Sequence, residues 1–250
     1  MRFCAPSGTC RYWPRPRIPT ASLSGISIEQ RVWFPRYHGH FAGVRTRDVT
    51  GESPVSNQRQ PTSTTGRGGG GQREHVAQLL HERGADDFPH VNGSLFDHLE
   101  RTEMILRSWS CSETVSIAGL CHAVYGTDGV AVALLTLQER DFLSEIVGPD
   151  VEALVYFYAS CDRGFVYPRL GEGDRMDFRD RFTGHTFLPS EGQLRDFVEL
   201  TLANESDVGV VGPNADTPPD WLLAMFTHFQ HLASASVRDG FQLLMSPAGR

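Results

Sequence analysis

From Val76 onward the chain repeats apolar residues at intervals of three and four, the period of helices that bury one face. Val76, Leu79 and Leu80 predict a short helix that stops at Gly84, a residue suited to the left-handed position after a helix end. Ser94 is placed to cap a second helix carrying Leu95, Leu99, Thr102, Leu106 and Trp109. Ser112 opens a third, with Val115, Ala118, Gly119 and His122 along one face. Thr136 and Glu139 form a capping-box pair that opens a fourth, ended by Gly148-Pro149. A fifth follows directly, with Val151, Leu154, Val155, Tyr158 and Asp162 spaced as one face. Ser190 and Gln193 repeat the capping-box pattern ahead of Leu194, Phe197, Val198 and Thr201. Thr217-Pro218-Pro219-Asp220 precedes a last helix with Trp221, Leu222, Met225, Phe229 and Leu232 inward. Residues 170–188 are polar and glycine-rich, and read as a loop or short hairpin. Six or seven helices with almost no strand signal predict an all-α domain over residues 74–240, with 241–250 as a short tail.

Residues 1–73 differ in kind. They hold Arg-Pro clusters such as Arg15-Pro16-Arg17, a Ser/Thr/Gln-rich stretch, and the run Gly66-Arg67-Gly68-Gly69-Gly70-Gly71. Such a composition buries too little apolar surface to offset the entropy of ordering, so a disordered extension is expected. Charge divides at the same place. All 23 basic residues are Arg; eleven lie in this extension against Glu29, Asp48 and Glu52 alone, and the other twelve share residues 74–250 with 27 acidic residues.

That split excludes several classes. An acidic helical domain lacks the cations that sequence-independent nucleic-acid binding needs. The longest apolar run, Val130 to Leu137, falls far short of the roughly 20 residues of a membrane span. The first residues lack the apolar core of a secretory signal. Five cysteines without CxxC spacing argue against a disulfide scaffold or a zinc ribbon, and Cys121 and Cys161 read as packing residues. The expectation is a soluble cytoplasmic domain whose partner is a small molecule, with no nucleic acid and no membrane; oligomeric state is not legible.

The informative anomaly is polar residues on apolar faces. His98 follows Leu95 by three, His122 ends an apolar run, and Asp162 follows Tyr158 by four. A carboxylate so placed needs a cation, a metal or several donors. Two histidines and a carboxylate from three packed helices can meet on one divalent ion such as Zn, Mn or Fe. The same spacing also suits core histidines bonded to backbone, and an Asp162 that pairs with Arg163 or caps the turn at Gly164. Both readings stay open on spacing alone.

Three segments carry a resemblance: Gly93-Ser94-Leu95-Phe96-Asp97-His98-Leu99, Ala118-Gly119-Leu120-Cys121-His122-Ala123-Val124-Tyr125 and Ala159-Ser160-Cys161-Asp162-Arg163. In this order they resemble the H…HD…D framework of the HD-domain metal-dependent phosphohydrolases. More closely, residues 74–237 resemble an uncharacterised bacterial HD-like family through Tyr125-Gly126-Thr127, Arg181-Phe182-Thr183-Gly184 and Ala203-Asn204-Glu205-Ser206-Asp207. The resemblance implies an HD-domain-like helical bundle with His98, His122 and Asp162 as metal ligands and hydrolysis of a small phosphorylated or anionic substrate.

The departure is Ala123, which stands where that superfamily has the namesake Asp. It argues against a dinuclear site, and leaves Asp128 or His90 as replacement ligands. Asp128 and Arg163 are the candidate catalytic residues, and Arg163 with Arg169 around Tyr167 is a candidate anion clamp. Asn204 and Glu205 are expected either to line the same cavity or to be solvated. The alternative is a non-catalytic ligand-binding or regulatory scaffold in which the same polar residues form a buried hydrogen-bond network.

Overall fold

The computed structural model describes residues 69–90, 92–130, 132–170, 176–210 and 218–246. The disorder expected of residues 1–73 falls outside the described residues up to residue 68, and residues 69–73, expected to share it, instead begin the first helix. Nine α-helices are described: α1 (Gly69–Glu82), α2 (Leu95–Ser108), α3 (Glu113–Cys121), α4 (Arg140–Val147), α5 (Pro149–Ala159), α6 (Arg163–Val166), α7 (Glu191–Val210), α8 (Asp220–Phe229) and α9 (Ala235–Met245). Among the described residues, strands are confined to two antiparallel pairs of two-residue strands: β1 (Pro89–His90) with β2 (Gly93–Ser94), and β3 (Phe178–Arg179) with β4 (Thr186–Phe187). The protein is all-α, as the periodicity predicts.

Local chemistry sets most helix starts. Ser94 closes a full capping box on α2, its Oγ accepting from the Asp97 amide and Asp97 accepting from the Ser94 amide. Ser112 caps α3 and Ser234 caps α9. Thr136 and Glu139 form their capping box around a 3₁₀ turn, Leu137–Glu139, that runs into α4. Gly148, at φ 84°, turns the chain from α4 into α5, with Pro149 at the first helical position.

α3 is buried from Val115 through Cys121, on every side, and is the central helix. It packs against α2, α5 and α7. Gly119 permits the approach to α2, since a side chain there would run into Leu106. Charges buried beside this core are clamped by Arg. Fully buried Glu103 accepts from Arg73 and Arg107, each at 2.8 Å. Glu152 accepts from Arg140 through both oxygens and from the Tyr125 hydroxyl.

Two elements depart from the sequence reading. The fifth helix does not reach Asp162: α5 stops at Ala159, and the chain turns so that Cys161 bridges to Asp180 and the Asp162 amide donates to the Arg179 carbonyl. α9 was not legible in the apolar pattern. It continues to Met245, buries Val237 and Phe241, and stacks Phe241 face to face on Phe226 at 4.0 Å.

Gly240 lies in α9 directly over the Trp109 indole, with Nε1 at 2.8 Å from where a Cβ would stand. Replacing a mid-helix glycine by alanine ordinarily gains up to about 1 kcal/mol. Here Gly240→Ala must displace a buried ring and is expected to destabilise by about 1–3 kcal/mol. Urea unfolding of the two proteins gives the sign, and a stabilised variant would contradict this packing.

Candidate functional site

α2 contributes His98 and Arg101, the end of α3 contributes His122, and α7 contributes Asn204, Glu205 and Asp207. His98 follows Leu95 and precedes Thr102 on the inward face of α2, and the Thr102 hydroxyl holds that turn by donating to the His98 carbonyl. His122 is the residue that ends α3. Its ring turns back so that Nδ1 meets the Gly119 carbonyl at 2.8 Å. The histidines are 1% and 2% exposed. Their Nε2 atoms face one another at 3.3 Å, with the rings edge to face.

α7 closes the site from the other side. Asp207 accepts from His98 Nδ1 at 2.6 Å and from Arg101 through both oxygens, at 2.6 and 3.1 Å. Burial draws the Asp207 carboxyl upward, but the bonds from His98 and Arg101 outweigh it and hold the group below its ordinary range. Asn204 places Oδ1 3.0 Å from His98 Nε2, while its NH2 donates to Glu205 at 3.0 Å. The His90 ring stacks on His98 with centroids 4.2 Å apart. Arg163 lies beside the pair, 3.8 Å from Glu205 and donating to the Tyr158 hydroxyl at 3.2 Å.

Counting protons shows what this arrangement requires. A carbonyl only accepts, so His122 Nδ1 carries the hydrogen. Burial first, and then the neighbouring His98, push the His122 pKa down to about 3, so its Nε2 is a bare lone pair at neutral pH. Ionised Asp207 likewise requires a hydrogen on His98 Nδ1. His98 Nε2 then faces two acceptors, His122 Nε2 and Asn204 Oδ1. Three acceptors cannot share this space unless a cation lies among them, either a proton on His98 or a metal ion.

The structure brings together His98 and His122 of the expected ligands, and not Asp162. Asp162 caps α6, its Oδ1 accepting from the Phe165 amide at 3.0 Å, and its Oδ2 lies 3.4 Å from Arg179. Among the described residues no hydrogen bond or ion pair joins it to either histidine, and no group of three His, Cys, Asp or Glu is disposed to hold a metal. Its place is taken by a helix start, because α5 ends a turn earlier than the apolar period suggests.

The remaining candidates divide similarly. Asp128 accepts from the Arg163 backbone amide at 2.9 Å and so anchors α6 rather than meeting the histidines. Arg169 donates to the Phe165 carbonyl and stacks on that ring, so the expected Arg163/Arg169 clamp is not formed. Asn204 and Glu205 are buried at the site. Arg101 and Asp207 join the site beyond the expected candidates. The signal lay in α7, where Phe197, Thr201, Asn204 and Asp207 recur at three- and four-residue steps, the same polar-on-apolar anomaly that identified His98.

A family model described as a domain of unknown function (DUF6817) matches residues 79–163. That span contains both histidines and Arg101 and ends before Asn204 and Asp207. No curated protein and no solved structure matches the chain. Among the described residues no helix is long and apolar enough to cross a membrane.

The unprotonated His122 has a measurable consequence. An unfolded histidine titrates near 6.5, whereas the folded His122 stays neutral down to about 3. Its stabilising contribution is complete above pH 6.5 and is lost as pH falls, at ~1.4 kcal/mol per pH unit below 6.5. Urea unfolding of the metal-free protein between pH 7.5 and 5 is expected to show this slope, and His122→Gln to flatten it. Equal slopes in both proteins would remove His122 as the source.

Proposed function

We propose that this chain is a mononuclear metal-dependent hydrolase acting on a small phosphorylated or otherwise anionic substrate, with one divalent ion, Zn, Mn or Fe, between His98 and His122. The observation that carries the reading is the opposed Nε2 pair at 3.3 Å, each imidazole held at Nδ1 by an acceptor. Two nitrogens that each lie about 2.0–2.1 Å from one ion at a near-tetrahedral angle are separated by close to that distance. An Nδ1 hydrogen bonded to a carboxylate or a backbone carbonyl is also the arrangement that fixes tautomer and ring orientation in histidines that bind metal. The resemblance to HD-domain phosphohydrolases points the same way, and Ala123 limits the centre to one ion.

The chain's own groups have distinct parts in this reading. Asp207, with Arg101 behind it, holds the His98 ring and keeps Nε2 directed at the centre. The Gly119 carbonyl does the same for His122. Arg163, held near Tyr158, Tyr167 and Glu205, supplies positive charge for an anion beside the histidines. A divalent ion in such a setting supplies Lewis-acid polarisation of an ester and acidifies water for attack.

A second reading is favoured by a separate observation. A proton on His98 Nε2 also satisfies the cluster, and Ala123 supplies no ligand. The domain is then a ligand-binding or regulatory scaffold with a buried ionic network. Elemental analysis of purified protein after incubation with Zn, Mn or Fe(II) and gel filtration separates the two. About one ion per chain is expected, lost in His98→Ala and His122→Ala, together with metal-dependent phosphate release from simple phosphomonoesters. A parent protein that retains no ion leaves the scaffold reading.

Asp162→Ala is expected to retain its metal and to lose its helix cap and its contact with Arg179, about 1 kcal/mol of stability. Metal loss in that variant would restore Asp162 as a ligand.

A further inference from the structure

Asn204 stands at the acceptor cluster with a neutral oxygen where a carboxylate would be the usual companion of two histidines. The two ends of its amide are nearly the same size, so the chemistry of its neighbours decides which one faces the imidazoles. Here the decision belongs to Glu205. The Glu205 carboxylate is 4% exposed and accepts from the Asn204 NH2 at 3.0 Å, which turns Oδ1 toward His98 Nε2 at 3.0 Å. The Arg163 guanidinium lies 3.8 Å from the same Glu205 oxygen. Asn204 is itself 7% exposed, so water does not compete for the oxygen.

We infer that Asn204, oriented by Glu205, is the third donor of the centre between His98 and His122 and makes it selective for nitrogen-preferring ions over hard, oxygen-seeking ones. This rests on the metal reading of the histidine pair. The donor set is two imidazoles and an amide oxygen, with no net charge. Imidazole suits Zn²⁺, Co²⁺, Ni²⁺ and Fe²⁺, whereas Mg²⁺, Ca²⁺ and Mn²⁺ draw their affinity chiefly from carboxylates. A neutral set leaves the full charge of the ion at the centre, and the nearest carboxylates, Asp207 and Glu205, are occupied in holding His98 and Asn204.

The test uses the full chain with Zn²⁺, Mn²⁺ and Co²⁺ as probes, in the parent, Asn204→Ala and Asn204→Asp, the last preserving shape if the truncated variant does not fold. Competition titrations are expected to show Zn²⁺ bound about tenfold or more weakly by Asn204→Ala. Asn204→Asp is expected to favour Mn²⁺, narrowing the Zn²⁺/Mn²⁺ affinity ratio about tenfold. The visible spectrum of the Co²⁺ protein should change in both variants, a signature that a merely structural asparagine would not move. Unchanged Zn²⁺ affinity and Co²⁺ spectrum in folded variants, with the parent still binding metal, overturns the role of Asn204 and leaves the histidine pair intact. A parent that binds none of the three ions overturns the underlying metal reading and this inference with it.

Discussion

The contact between His98 and Asp207 ties the first half of the domain to the second. It joins α2 to α7 across 109 residues, between side chains that are 1% and 0% exposed. An ionised carboxylate in such a place is tolerable only because three donors reach it, one from His98 and two from Arg101. Those bonds also decide the tautomer of His98, and through it the direction of the lone pair or proton at Nε2. The chemistry of the site is thus a consequence of how one buried acid is satisfied. Removing either partner leaves the other charge or dipole stranded in a dry interior, so the site and the stability of the fold are not separable here.

The same solution recurs elsewhere. Glu103 sits between Arg73 and Arg107, and Glu152 is gripped by Arg140, whose guanidinium also lies over the Tyr156 ring at 3.7 Å. A chain with no Lys has only the planar, forked guanidinium for this purpose. That geometry suits two-oxygen contacts with carboxylates and stacking on aromatic faces better than an ammonium does. The acidic character of residues 74–250 therefore does not describe an evenly charged surface, because several of those acids lie inside and are matched by Arg.

Helix type and the serine and threonine starts were legible because they depend on residues within one turn of each other. Ser94 with Asp97 and Thr136 with Glu139 need nothing from afar. His98 and His122 were legible because each interrupts an apolar face. Asp162 failed for the opposite reason. Its position in the period of α5 was real in sequence, but the helix ends three residues sooner, where the β3–β4 hairpin captures the chain. Asn204 was legible as a cavity candidate, but its pairing with His98 and the part Asp207 plays depend on a helix contact more than a hundred residues away. α9 is faint in the sequence because glycine in its middle dilutes the apolar repeat, and that glycine answers to the Trp109 ring.

The separation along the chain also sets the entropic cost of closing the site. α2 and α3 are close in sequence, so the two histidines, 24 residues apart, meet through local helix packing. The groups that aim His98 arrive only when α7 closes a much longer loop, a slower and entropically costlier step. The cluster is complete only once α7 has docked against α2. A cation held by the completed cluster binds the native state and not its precursors, so by mass action its concentration would set how much of the protein stays folded.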